Sequence, residues 1–207
     1  MKPVFIVLKG PSVQWLADHI GEFKDADVVW ATVNDFWIYD FMPHPFDIVH
    51  YSACVEQAKP DELERLNRLM AGGGSVITSP AAEKYFSKDY PGKLLTSAFS
   101  TGRSSVLGDI YNSLSALLLV LISFGYKTFY LFGCDGSGLG YKQNEDNEEH
   151  RLAIQKDAKI MNKHFWKIAE SFHLNCSGVK IYNVNAGATA VKCFPVISHS
   201  QFLRHKI

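Results

Sequence analysis

A short turn near the start of the chain, Lys9-Gly10-Pro11-Ser12, has residue types that suit a phosphate group. It follows an apolar run, Val4 to Leu8, and precedes a helix-like segment that begins at Val13. The glycine lets a ligand approach the backbone closely, the proline favours a helix start, and the serine is a common helix cap. Free backbone N–H groups at a helix start attract anions, and Lys9 adds a positive charge. The turn therefore predicts a phosphate site, with a plain strand-to-helix turn as the alternative.

Four further polar residues stand beside predicted strands or helices, where they are placed to contact the same ligand. Asn34 and Asp35 follow the apolar run that ends at Thr32. Ser113 lies in the most apolar helical segment, and Asp135 follows the apolar run that ends at Phe132. Each has an ordinary structural alternative, because Asn, Asp and Ser are common in turns and at helix starts. A carboxylate that ends a buried strand costs free energy unless it is hydrogen-bonded. Asp135 is therefore expected to hold ribose hydroxyls or a metal, or to cap the neighbouring loop.

Strand-like and helix-like segments alternate along the chain and predict how these residues are positioned. The predicted strands are Val4–Leu8, Asp27–Thr32, Phe46–Tyr51, Ser75–Thr78, Lys127–Phe132 and Val179–Val184. The predicted helices are Val13–Phe23, Lys59–Met70, Leu107–Phe124 and Arg151–Phe172. Residues 81–101 show no period, and the tail around Phe194 is predicted to pack on the surface.

This alternation predicts an α/β fold, with a mostly parallel sheet covered by helices on both faces. The 207 residues are expected to form one Rossmann-like domain, 1–207, because the chain is short for two. Ligands of such folds bind beyond the carboxyl ends of the strands. The polar residues that follow the strands are therefore expected to share one site.

The composition argues against several partners. Lys plus Arg equals Asp plus Glu at 21 each, so no overall field attracts nucleic acid or an anionic membrane. The apolar stretch Leu114 to Phe124 is shorter than the roughly 20 residues needed to span a bilayer. The four cysteines are scattered without metal-ligand spacing, which favours reduced thiols and a cytoplasmic location.

Several short blocks, in this order, resemble bacterial sialyltransferases of the Campylobacter type. They also resemble the related family of unknown function, DUF115, whose best-known relatives are archaeal hydroxymethylpterin diphosphokinases. The first two blocks are Gly10-Pro11-Ser12 after the first strand and Val33-Asn34-Asp35-Phe36 after the second. The third is the apolar helix from Ser113, followed by Gly125-Tyr126-Lys127 and the strand that ends in Gly133-Cys134-Asp135. Val179 to Asn183 and Phe194-Pro195 resemble the closing strand and tail of the group.

The resemblance implies a transferase that uses a nucleotide-sugar donor of the CMP type. It implies that His150 is the general base for an acceptor hydroxyl and that Tyr141 stabilises the departing nucleotide phosphate. Neighbouring acidic residues, Glu145 to Glu149, would raise the pKa of His150. The structural alternatives are a solvated histidine at a helix start and a tyrosine of a surface loop.

Two other functions fit the same residues. A hydroxymethylpterin diphosphokinase-like enzyme would use ATP and magnesium, with the metal held by Asp135 and the acidic run. A non-catalytic protein would keep the fold without activity. For the sialyltransferase type no metal is expected, and the partners are a small nucleotide donor and a hydroxyl acceptor. A homo-oligomer is compatible with the sequence, because a neighbouring subunit could complete a lid over the acceptor.

Overall fold

The computed structural model describes residues 1–51, 60–78, 86, 91–96, 112–138, 148–187 and 189–205, except for the side chains of residues 94, 96, 149 and 150. In this part of the chain, eight strands form one sheet in the order β5-β4-β3-β2-β1-β6-β7-β8. Every neighbouring pair in the sheet is parallel. The predicted α/β fold is confirmed.

The strands are short, and six of them coincide with predicted ones to within about two residues. They are β1 (Val4–Val7), β2 (Val29–Val33), β3 (Ile48–His50), β4 (Ser75–Thr78), β5 (Leu94–Thr96), β6 (Thr128–Phe132), β7 (Lys180–Val184) and β8 (Val196–Ile197). The helices are α1 (Val13–His19), α2 (Pro60–Ala71), α3 (Ser113–Ser123), α4 (Glu148–Ser171) and α5 (His199–Leu203). Neither β5 nor β8 was predicted.

The strand order reverses at β1. Val4 pairs with Val29 of β2 on one side and with Phe129 of β6 on the other, so the three strands run in register. Their carboxyl ends meet at one edge of the sheet, and in doubly wound folds a crevice opens at such a point. The polar residues after β1, β2 and β6 are therefore brought together.

Each face of the sheet carries its own apolar core because alternate side chains of a strand point to opposite faces. Ile6, Ala31 and Leu131 pack with α3 and α4. Phe5, Trp30 and Phe132 pack on the other face with α1, α2 and the end of the chain. Helix α3 has no solvent-exposed face between Leu114 and Ile122, because each of these residues is buried.

The end of the chain is not a surface tail, and this prediction was wrong. Val196 and Ile197 form β8 alongside β7. Phe194 and Phe202 are each 1% exposed and lie in the cores on opposite faces. Ser198 begins α5 with a capping box that involves Gln201. The end of the chain thus adds both an edge strand and core side chains.

Candidate functional site

A cavity of about 350 Å³ lies where β1, β2 and β6 end, between the sheet, the start of α3 and one side of α4. This volume falls within the range of small-molecule sites. The described lining residues are Leu8, Lys9, Val33, Asn34, Asn112, Ser113, Leu114, Gly133, Cys134, Gly136, Ile154, Asp157, Ala158, Met161 and Val191. Most of these are apolar or glycine, and the polar ones are Lys9, Asn34, Asn112, Ser113 and Asp157.

Asn34 and Ser113, both predicted as site residues, lie together in the cavity wall. Asn34 takes a positive φ of 53°, a conformation that Asn tolerates better than most residues. Its backbone N–H donates to the carbonyl oxygen of His50 at 2.9 Å. Its side-chain amide donates to Ser113 Oγ at 3.2 Å, which connects the end of β2 to the start of α3.

The start of α3 itself is fixed by Asn112, which sequence reasoning missed. Asn112 is extended, and its side-chain oxygen accepts a hydrogen bond from Ser115 N at 2.8 Å. The pattern Asn-Ser-Leu-Ser before an apolar run is a recognisable helix cap and was available in the sequence. This cap places Asn112 and Ser113 at the cavity rather than within the helix body.

Lys9 lines the cavity and forms an ion pair with Asp35, which follows Asn34. Both side chains are about one-third exposed, so the ion pair is partly buried and partly in contact with water. Asp35 itself is not among the described lining residues. The charge of Lys9 is therefore balanced by the protein, while its ammonium group has more than one N–H to donate.

Asp135 is engaged by the protein on both carboxylate oxygens. One oxygen accepts a hydrogen bond from the backbone N–H of Ser12 at 2.9 Å, and the other accepts one from the side-chain amide of Asn185. Asp135 is 8% exposed and is not among the described residues that line the cavity. Its hydrogen bonds tie the first turn to the ends of β6 and β7.

The first turn is consequently organised differently from the expected helix cap. The side chain of Ser12 makes no capping hydrogen bond, and its hydroxyl is buried without a partner among the described residues. Gly10 N donates to the carbonyl of Gly133 at 2.9 Å, and a Cβ atom on Gly10 would overlap that carbonyl and the Asp135 carboxylate. Gly10 and Ser12 thus contact the turn that follows β6, and Gly10, Pro11 and Ser12 are not among the described residues that line the cavity.

Helix α4 contributes a stripe that sequence reasoning missed. Ile154, Asp157, Ala158 and Met161 line the cavity at the spacing of one helix face. Asp157 is half-buried, and no hydrogen-bond donor or cation contacts its carboxylate among the described residues. Burial raises the pKa of the Asp157 carboxyl, and the nearby Lys156 lowers it less. The sequence signal that could have identified Asp157 is a single carboxylate among the apolar residues Ile154, Ala158 and Met161, at the spacing of one helix face.

The thiol in the cavity wall is not a ready nucleophile. Cys134 is 4% exposed, and burial raises the pKa of its thiol far above neutrality. The thiolate is the reactive form, so Cys134 contributes an apolar surface at neutral pH.

Of the two residues expected to be catalytic, the structure describes the backbone of one and neither side chain. Tyr141 lies outside the described residues. His150 stands in α4, one turn before Ile154 in the register of the cavity-lining stripe, but its side chain is not described. Across the described part of the chain, no group of three or more His, Cys, Asp or Glu residues is placed to hold a metal ion. None of the described helices is both long enough and apolar enough to cross a membrane.

Comparison with known proteins supports the fold and little beyond it. No protein-family model and no curated protein matches the chain. A solved structure, that of MAf glycosyltransferase from Magnetospirillum magneticum AMB-1, superposes with a TM-score of 0.57 at 15% sequence identity. The match covers 97% of this chain and 34% of that one, so the chain spans about one-third of its length. The likeness establishes the fold.

Proposed function

We propose that the chain binds a nucleotide-sugar donor of the CMP type in this cavity and transfers the sugar to a hydroxyl acceptor. The observation that carries the proposal is the position of the cavity at the end of β1, where the strand order reverses. Nucleotides bind at this point in doubly wound sheets. A neighbour of the same fold is named a glycosyltransferase, which supports this class of reaction.

The lining of the cavity suits the parts of a nucleotide. The apolar walls formed by Leu8, Val33 and Met161 can cover a base or a sugar ring. Lys9 keeps N–H groups that can donate to a phosphate while it remains paired with Asp35. Asn34 and Ser113 offer an amide and a hydroxyl at the junction of β2 and α3. The proposed orientation therefore has the phosphate near Lys9.

Transfer requires a base for the acceptor and stabilisation of the leaving group. In the proposed reaction the acceptor oxygen attacks the anomeric carbon, the bond from that carbon to the phosphate oxygen breaks, and the nucleotide leaves with the electron pair. His150 takes the proton of the acceptor hydroxyl, and Tyr141 donates a hydrogen bond to the leaving phosphate. Both roles rest on the resemblance to sialyltransferases, and the register of His150 in α4 is compatible with the first.

Thermal stabilisation by a nucleotide panel tests this proposal. We expect CMP, or another of CDP, UDP, GDP, ADP and ATP, to raise the Tm equally with and without magnesium, because a ligand that binds only the folded state stabilises it. Stabilisation by ATP only in the presence of magnesium would instead favour diphosphate transfer. No stabilisation by any nucleotide at millimolar concentration would contradict the proposal and favour a non-catalytic protein.

A further inference from the structure

One carboxylate in the cavity stands apart from the other polar groups, because it has no protein partner among the described residues. Asn34 and Ser113 bond to each other, Asn112 accepts from Ser115 N, and Lys9 is paired with Asp35. Asp157, on the α4 wall, has no comparable contact. Partial burial weakens the hydration of a carboxylate, and a ligand that donates hydrogen bonds to it offsets that loss.

We propose that Asp157 binds the ribose hydroxyls of the nucleotide and makes the cavity selective for ribonucleotides. This assignment rests on the proposed function, since it names the part of the donor that contacts α4. A carboxylate accepts hydrogen bonds from hydroxyl groups and repels phosphate, so the ribose lies at the α4 wall and the phosphate lies toward Lys9. The role considered for Asp135 in the sequence passes to Asp157, because the Asp135 carboxylate is directed to Ser12 and Asn185 and only Asp157 is among the described residues that line the cavity.

The surroundings of Asp157 favour a neutral donor over a cation. Besides Asp157, the charged or titratable side chains among the described residues that line the cavity are Lys9 after β1 and Cys134 after β6. Lys156, next to Asp157 on α4, does not line the cavity but lowers the pKa of the Asp157 carboxyl. Lys9 is already balanced by Asp35, and Cys134 stays protonated because burial raises its pKa. The other residues of α4 that line the cavity are the apolar Ile154, Ala158 and Met161. They can pack against a sugar ring but cannot form hydrogen bonds with its hydroxyls.

Calorimetric titration of paired nucleotides tests the assignment. The probes are CMP and 2′,3′-dideoxy-CMP, or the matching pair of whichever nucleotide stabilises the protein most. The wild type is expected to bind the ribonucleotide about tenfold or more tightly than the dideoxy form, as expected for hydrogen bonds to a charged group. Asp157→Leu is expected to reduce this ratio to less than about threefold, and Asp157→Asn, which keeps one acceptor oxygen, to give an intermediate ratio.

The control is Glu170→Leu, which removes an exposed carboxylate from the same helix and is expected to leave the ratio unchanged. The measure is a ratio of two affinities in one variant, so a general loss of stability does not imitate the effect. An unchanged ratio in Asp157→Leu, with binding retained, would overturn the assignment and leave the proposed function standing. Absence of binding by any nucleotide to the wild type would overturn both.

Discussion

The backbone N–H of Ser12 donates a hydrogen bond to the carboxylate of Asp135 across 2.9 Å, although the two residues are 123 positions apart in sequence. The bond joins the turn after β1 to the turn after β6. It also occupies a backbone donor that the sequence had suggested for a phosphate. The candidate site therefore lies beside this turn, in the cavity lined by Lys9, Asn34 and Ser113.

The close contact between the two turns predicts that a side chain at position 10 lowers the free energy of unfolding. In Gly10→Ala the added methyl group would overlap Asp135 and the carbonyl oxygen of Gly133, and overpacking of this kind costs about 1–3 kcal/mol. Urea unfolding measures the loss. Gly21→Ala is a matched control, because a Cβ atom there meets nothing within 4 Å, and it is expected to leave the free energy of unfolding unchanged or slightly higher. Equal stability of the two variants would contradict the packing seen at Gly10.

Asp135 is predicted to stabilise the fold more than it binds ligand. In Asp135→Asn an amide group faces either Ser12 N or the amide of Asn185, so one buried donor loses its acceptor at a cost of about 1–3 kcal/mol. Asp18→Asn removes an exposed carboxylate that accepts from Gln14 and is expected to have little effect on unfolding. If Asp135→Asn unfolds like the wild type but loses nucleotide binding, the carboxylate contacts ligand directly.

His50 is predicted to make the fold sensitive to mild acid. Burial lowers the pKa of its imidazole to about 4, and the unfolded chain has the ordinary value of 6.5. As the pH falls, His50 is therefore protonated in the unfolded state before it is protonated in the folded state. The contribution of neutral His50 to the free energy of unfolding is present above pH 6.5 and is lost as the pH falls toward 4. One such group contributes roughly 2 kcal/mol between pH 7.5 and 5.

Urea unfolding at pH 7.5 and pH 5 measures this dependence. His50→Leu is expected to lose less stability between the two pH values than the wild type does. His173→Asn, which removes an exposed histidine at a position with a positive φ of 54°, is expected to behave like the wild type. An identical loss in all three proteins would show that His50 does not account for the pH dependence.

Asp157 is predicted to destabilise the ligand-free protein at neutral pH. Burial raises the pKa of its carboxyl above 3.8, so ionisation is less favourable in the folded state than in the unfolded one. The contribution of the protonated carboxyl to the free energy of unfolding is fully present below pH 3.8. It is lost as the pH rises through the raised pKa of the folded state. Asp157→Asn should therefore raise the Tm at pH 7, and the gain should be small because water screens the exposed half of the side chain. The gain should disappear in acid, and a gain that persists there would have another cause.

The sequence predicted the centre of the sheet well because its strands are apolar, buried and followed by turn residues. It missed β5 and β8, which have only three and two residues and lie in segments without a clear period. The buried positions of Phe194 and Phe202 depend on long-range packing, which local pattern does not reveal.

At the site, the rule that polar residues follow parallel strands predicted that Lys9 and Asn34 would converge, and the structure places both in the cavity wall. Ser113, selected as a polar residue of the apolar helix, lies beside them. Their roles toward a ligand remain predictions. The rule could not tell that Asp135 would turn toward Ser12, because that depends on how the two turns pack. It also gave no reason to select Asp157, which lies in the middle of a helix.

The central claim, that the cavity at the end of β1 holds a nucleotide, is tested most directly by filling the cavity. Calorimetric titration of CMP, or of the nucleotide that stabilises the protein most, would compare the wild type with Ile154→Trp and Leu152→Trp. Ile154 lines the cavity, whereas Leu152 lies on the same helix and is 54% exposed. We predict that the wild type and Leu152→Trp bind alike and that Ile154→Trp binds at least about tenfold more weakly, a difference of ~1.4 kcal/mol. Equal binding by all three proteins would place the nucleotide elsewhere, and no binding by the wild type would contradict the claim itself.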